Sequence, residues 1–81
     1  MQIRLLCFAV LEEIAGTREQ RLEVATGTTP QDLWAMMRGK HPRLSSYVTP
    51  PLVAVNQEYA PPTTRLEDGD EVAFIPPVSG G

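Results

Sequence analysis

A single stretch of this 81-residue chain carries a full set of helix punctuation, while the segments on either side of it alternate in the manner of strands. Thr29 is a good N-cap and Pro30 suits the first helical position. Asp32 stands at the reciprocal position of a capping box, where its carboxylate also meets the positive end of the helix dipole. Leu33, Met36 and Met37 share one face by their i, i+3, i+4 spacing, Trp34 lies to one side, and Gly39 with His41-Pro42 ends the helix. A Met-and-Trp stripe of this kind is core packing rather than a cofactor site. One such helix buries one apolar stripe, and the partner available to bury it is a sheet.

The strands are legible by their period of two. Residues 3–11 place Ile3, Leu5, Cys7 and Ala9 on one face and Arg4, Leu6, Phe8 and Val10 on the other. Beyond Arg4 both faces are apolar, so a helix covering one side leaves Leu6 and Phe8 in want of cover, which another protein can supply. Leu11-Glu12-Glu13-Ile14-Ala15 reads as a short helical turn closed by Gly16 in a left-handed cap. Residues 19–24 form a second strand with Leu22 and Val24 inward, before a turn at Thr26-Gly27. After the helix, Pro50-Pro51 introduces a short strand over 52–56, and Pro61-Pro62 breaks the region after Tyr59; these prolines belong to edges and loops. Leu66-Glu67-Asp68-Gly69-Asp70 turns into a last strand over 71–75, with Val72 and Phe74 inward against Ala73 and Ile75. The first two strands can pair antiparallel, and the helix supplies the crossover that sets the first and last strands side by side. The expected fold is an α+β roll, one mixed sheet around one main helix, with no repeat or linker to divide it.

Composition narrows the function. At 81 residues and 42% hydrophobic content there is one modest core. A chain of this size buries only about 60% of its unfolded surface, which leaves little room for a deep catalytic pocket, so function is expected to require a partner. The net charge is −3, and Arg4, Arg18, Arg21, Arg38, Lys40, Arg43 and Arg65 are scattered, which argues against nucleic acid. The apolar run over 5–11 is far below the roughly 20 residues a bilayer demands, so no membrane association is expected. One cysteine forms no internal disulfide, and no charged leader precedes an apolar segment; a reducing cytoplasm fits.

The sequence ends Phe74-Ile75-Pro76-Pro77-Val78-Ser79-Gly80-Gly81, a hydrophobic strand running through a stiff stem into two residues without side chains. Residues 1–75 are read as the folded body and 76–81 as an extended tail. Glycine passes through spaces that any Cβ would block, and a terminal carboxylate can be activated chemically. The prolines pre-restrict the backbone and withhold N–H donors from further pairing. Fully extended, residues 76–81 reach about 20 Å, enough to cross a subunit boundary.

The turn Asp68-Gly69-Asp70-Glu71-Val72 joined to Pro76-Pro77-Val78-Ser79-Gly80-Gly81, with Val53-Ala54-Val55-Asn56-Gln57 and Arg4-Leu5-Leu6-Cys7-Phe8-Ala9 in support, resembles the β-grasp sulfur carriers, specifically the small subunits of molybdopterin synthases. The resemblance covers the whole chain and implies a ubiquitin-like β-grasp roll. It further implies that a ubiquitin-activating-type adenylyltransferase uses ATP to adenylate the Gly81 carboxylate, that a sulfur donor protein converts it to a thiocarboxylate, and that the tail delivers this sulfur to a cyclic pterin precursor inside a large subunit. The implied assembly is a heterotetramer of two small and two large subunits. Catalytic acids and bases would lie in the large subunit, and no cofactor would be bound permanently by this chain. Gly81 is then the reactive residue, and Gly80, Ser79, Val78, Pro77 and Pro76 give it passage. A thiamine-pathway sulfur carrier, a ubiquitin-like protein modifier and a plain interaction module with an idle tail remain alternatives.

Other candidates carry less. Cys7 on the core face of a strand reads as a small buried hydrophobe rather than a sulfur carrier. His41 has no partner at ligand spacing, and an Asp-Gly turn explains most of Glu67, Asp68, Asp70 and Glu71, so no metal is expected. Phe8, Tyr59 and Ile75 are the candidate partner-binding residues, on the face of the first and last strands that the helix does not cover.

Overall fold

The computed structural model describes residues 1–47 and 51–75, apart from the side chain of Ser46. Five strands make one mixed sheet: β1 (Gln2–Cys7), β2 (Glu19–Glu23), β3 (Leu52–Val55), β4 (Glu58–Tyr59) and β5 (Glu71–Ile75), in the spatial order β2-β1-β5-β3-β4. β1 and β5 run parallel, with Leu5 opposite Val72 and Cys7 opposite Phe74. The other pairings, β1 with β2, β3 with β5 and β3 with β4, are antiparallel. The roll expected from the order of elements is therefore the observed one.

Helix α1 (Val10–Ala15) follows β1, and helix α2 (Pro30–Lys40) crosses the sheet before a 3₁₀ turn at Pro42–Ser46. The start of α2 is fixed as its residues dictate: the Asp32 N–H donates to the Thr29 hydroxyl at 3.3 Å, and the Thr29 N–H donates to the Asp32 carboxylate at 3.0 Å. Gly16 ends α1 at φ 80°, a conformation that costs a residue with a Cβ about 1–2 kcal/mol.

The core lies between one sheet face and α2. Leu5, Cys7, Val72 and Phe74 are fully inaccessible, and Leu33, Trp34 and Met37 of α2 close over them with Leu11, Leu44 and Leu66 at the margins. Burying each large apolar side chain of this set stabilises the fold by roughly 1.5–3 kcal/mol.

Several local expectations are corrected. The first strand stops at Cys7 because the chain turns into α1; Ala9, expected on the core face, is exposed at φ 52°, and Val10 belongs to the helix. Trp34 is not to one side. It is buried edge-on against Phe74, with ring centroids 5.4 Å apart and planes at 65°, while Met36 is half-buried. Gly39 lies inside α2, whose C-cap is His41, the backbone N–H of which donates to the Met37 carbonyl at 2.9 Å. The 3₁₀ turn is a short helical piece in the loop after α2, whereas β4 is an element that the order of strands and helix does not include.

Candidate functional site

The sheet face turned away from α2 is built by strand parity. Ile3, Leu5 and Cys7 point into the core, so Arg4 and Leu6 point out; Val72 and Phe74 point in, so Glu71, Ala73 and Ile75 point out. Register then lays a row across four strands: Leu6 faces Ala73, Ala73 faces Ala54, and Ala54 faces Tyr59. Leu52 and Ile75 form the neighbouring pair. The two alanines leave a trough of about 440 Å³ between larger side chains, lined by Leu6, Phe8, Tyr59 and Ile75 and edged by Gln57 and Glu71.

All three partner-binding candidates thus come together on this trough. Phe8 is 39% and Tyr59 75% exposed, and Ile75 is half-buried. Leu52, 57% exposed, extends the same surface, although in the sequence it shows only as a strand residue. Its alternation with Val53 was visible, whereas the register that brings it beside Ile75 was not. A sheet face with this much exposed apolar area is suited to docking another protein.

One end of the face is polar and tied down. Arg4 forms an ion pair with Glu71 and lies 3.8 Å from the Glu19 carboxylate. The Asn56 amide donates to Asp70 at 2.9 Å and accepts from the Glu71 N–H at 3.0 Å, and Asp70 also accepts from the Glu67 N–H at 2.8 Å. Asp68 accepts from the Gln2 N–H at 2.7 Å. These carboxylates therefore hold the turn that starts β5. Among the described residues no three His, Cys, Asp or Glu side chains converge as metal ligands would.

Cys7 points into the core, and burial, with the Glu12 carboxylate adding to it, pushes the thiol above its ordinary pKa. A thiol held protonated is a poor nucleophile, which sets Cys7 apart from reactive cysteines. Pro76, Pro77, Val78, Ser79, Gly80 and Gly81 lie outside the described residues. They follow Ile75 directly in sequence, so the trough-lining strand is the one that leads into them.

The model of the ThiS family matches residues 5–81. This chain belongs to the ThiS family. It is 47% identical to the molybdopterin synthase sulfur carrier subunit of Chlamydomonas reinhardtii, over 100% of both chains. It is 43% identical to the protein of the same name from Mycobacterium tuberculosis, over 100% of this chain and 99% of that one. Among solved structures, SAMP1 from Haloferax volcanii, small archaeal modifier protein 1, superposes with a TM-score of 0.81 at 35% identity and covers 100% of each chain. The five-stranded sheet with its crossing helix is thus the β-grasp, ubiquitin-like fold of this ThiS member. No helix among the described residues is long and apolar enough to cross a membrane.

Proposed function

We propose that this chain is a sulfur carrier and the small subunit of a molybdopterin synthase. The observation that carries the reading is the continuity of the apolar trough with β5, the strand whose sequence runs on into Pro76-Pro77-Val78-Ser79-Gly80-Gly81. A partner seated on the trough contacts Ile75, the residue that residues 76–81 follow in sequence. The full-length relatives named as molybdopterin synthase sulfur carrier subunits support the same assignment.

In this reading the Gly81 carboxylate does the chemistry. It is ionised at neutral pH, since α-carboxyl groups titrate near 3.3–3.7, and a carboxylate becomes a useful electrophile only when an oxygen is made a leaving group. A ubiquitin-activating-type adenylyltransferase supplies this by joining the carboxylate to the AMP portion of ATP with release of pyrophosphate. A sulfur donor protein then provides sulfur at the oxidation level of sulfide, which displaces AMP; the thiocarboxylate enters the large subunit, its sulfur bonds to a cyclic pterin precursor as the dithiolene is built, and water cleaves the acyl–sulfur bond to restore the Gly81 carboxylate. ATP is the activating partner's substrate, and two small with two large subunits form the working complex in the cytoplasm.

The test is the intact mass of the chain isolated from cells that make the cofactor. The expected result is a species heavier by the difference between sulfur and oxygen, absent from Gly81→Ala, together with rescue of a strain lacking its small subunit. Absence of that species in an active strain refutes the reading. The likeness to SAMP1 favours one second reading, a protein modifier whose terminal carboxyl is joined to lysines. Adducts on many proteins in denaturing gels support it, whereas a thiocarboxylated monomer with one stable partner supports the carrier.

A further inference from the structure

On the opposite side of the sheet from the trough, α2 and the start of β3 enclose a second groove of about 350 Å³, with Trp34 and Val53 among its lining and Pro30, Pro51 and Pro62 as walls. The prolines are stiff, and Pro62 is bound to the helix by the Gln31 N–H, which donates to its carbonyl at 3.0 Å. The groove is thus pre-formed, and ordering it on binding costs little. Among the described residues Arg38 is the one charged residue of its lining, and no counter-ion for it stands among them. The chain as a whole is acidic, yet from Leu33 to Gln57 it has no carboxylate at all, while Arg38, Lys40 and Arg43 fall in that stretch.

We propose that this groove docks a short extended segment of a second protein, one with apolar side chains next to a carboxylate. Gln31 and Arg38 stand seven positions apart on α2, or about 10 Å along its axis, which spans about three residues of extended chain. An apolar side chain in the middle covers Trp34, and the carboxylate meets Arg38 in a charge-assisted hydrogen bond. The walls lack N–H groups at the prolines, so recognition runs through side chains rather than through an added strand. Because Phe74 faces the groove while Ala73 and Ile75 face the trough, the two sites lie on opposite sides of β5 and can be filled together.

The experiment is an NMR titration of the ¹⁵N-labelled full-length chain with the acetylated, amidated peptide Asp-Asp-Leu-Val-Leu-Asp-Asp, whose ends are acidic in either orientation. Saturable shifts at the Trp34 indole and Arg38, weakened at least tenfold by Arg38→Glu and unchanged by Phe8→Asp, are expected. The same peptide with Asn for every Asp should bind at least tenfold more weakly. The proposal is overturned by shifts that do not saturate, by equal binding of the Asn peptide, or by shifts centred on Phe8 and Tyr59. Trp34 and Arg38 signals that move with protein concentration alone overturn it too, since a second copy of the chain would then fill the groove.

Discussion

Ala54 and Ala73 are paired directly across β3 and β5, which places the two smallest side chains of the uncovered sheet face at its centre. Their size makes the trough, and the larger Leu6, Phe8, Tyr59 and Ile75 make its sides. Interfaces of this shape draw most of their affinity from a few apolar anchors excluded from water. Phe8→Asp puts a charge at such a position while leaving the core untouched, since Phe8 is 39% exposed. If the trough seats the large subunit of the proposed function, affinity for that subunit should fall at least tenfold, about 1.4 kcal/mol, in calorimetric titration. The thermal midpoint of the isolated chain should stay within a few degrees; unaltered affinity would place the interface elsewhere.

The β3–β4 turn offers a stabilising change. Asn56 and Gln57 sit at φ 52° and 71°, the pair of left-handed residues that a two-residue type I′ hairpin requires. Asn56 suits this conformation and its amide is engaged by Asp70 and Glu71. Gln57 is exposed and gains nothing comparable from its side chain in any described hydrogen bond. Gln57→Gly should therefore raise stability by about 0.5–1 kcal/mol in urea unfolding, as relief of the left-handed strain outweighs the added freedom of the unfolded chain. A loss of stability would show that Gln57 packs on the trough more than its backbone is strained.

That same turn explains what the sequence concealed. Capping at Thr29 and Asp32, the left-handed Gly16 and the inward alternation of Val72 and Phe74 are local chemistry, and each stands where its residues place it. β4 was hidden because Asn56-Gln57 lacks the glycine that announces a type I′ turn, and two residues of strand carry no period. The first strand is shorter than its apolar run because Val10 and Leu11 continue that run into α1. Phe8, Tyr59 and Ile75 were legible as apolar residues on outward positions, yet Ala54 and Ala73 between them were not, because a trough is a property of register and alanine gives no signal of its own.

The edge-on contact of Trp34 with Phe74 joins α2 to the strand shared by both faces. Trp34→Ala leaves a large cavity in a small core and should cost about 3–5 kcal/mol, a large share of the stability of a domain this size. Trp34→Phe keeps an aromatic partner for Phe74 and should cost less than half as much. Urea denaturation followed by far-UV circular dichroism compares the two; equal losses would mean that the indole's particular shape, rather than filled volume, holds the helix to the sheet.

Cys7 separates a structural sulfur from a transferred one. Its raised pKa means that the folded chain prefers the protonated thiol, so this contribution to stability is fully present below the ordinary thiol value of about 9.0 and is lost as pH rises through the higher folded value. Urea midpoints measured from about pH 8 to 11 should therefore fall more steeply for the natural chain than for Cys7→Ala, which keeps every other titrating group. Parallel slopes would show that the thiol has the same pKa folded and unfolded. The buried thiol should also resist alkylation until the chain unfolds. Since the working sulfur in the proposed cycle is attached at Gly81, Cys7→Ala should still accumulate the thiocarboxylate mass in cells, and loss of that species from a folded Cys7→Ala chain would require Cys7 in the transfer path.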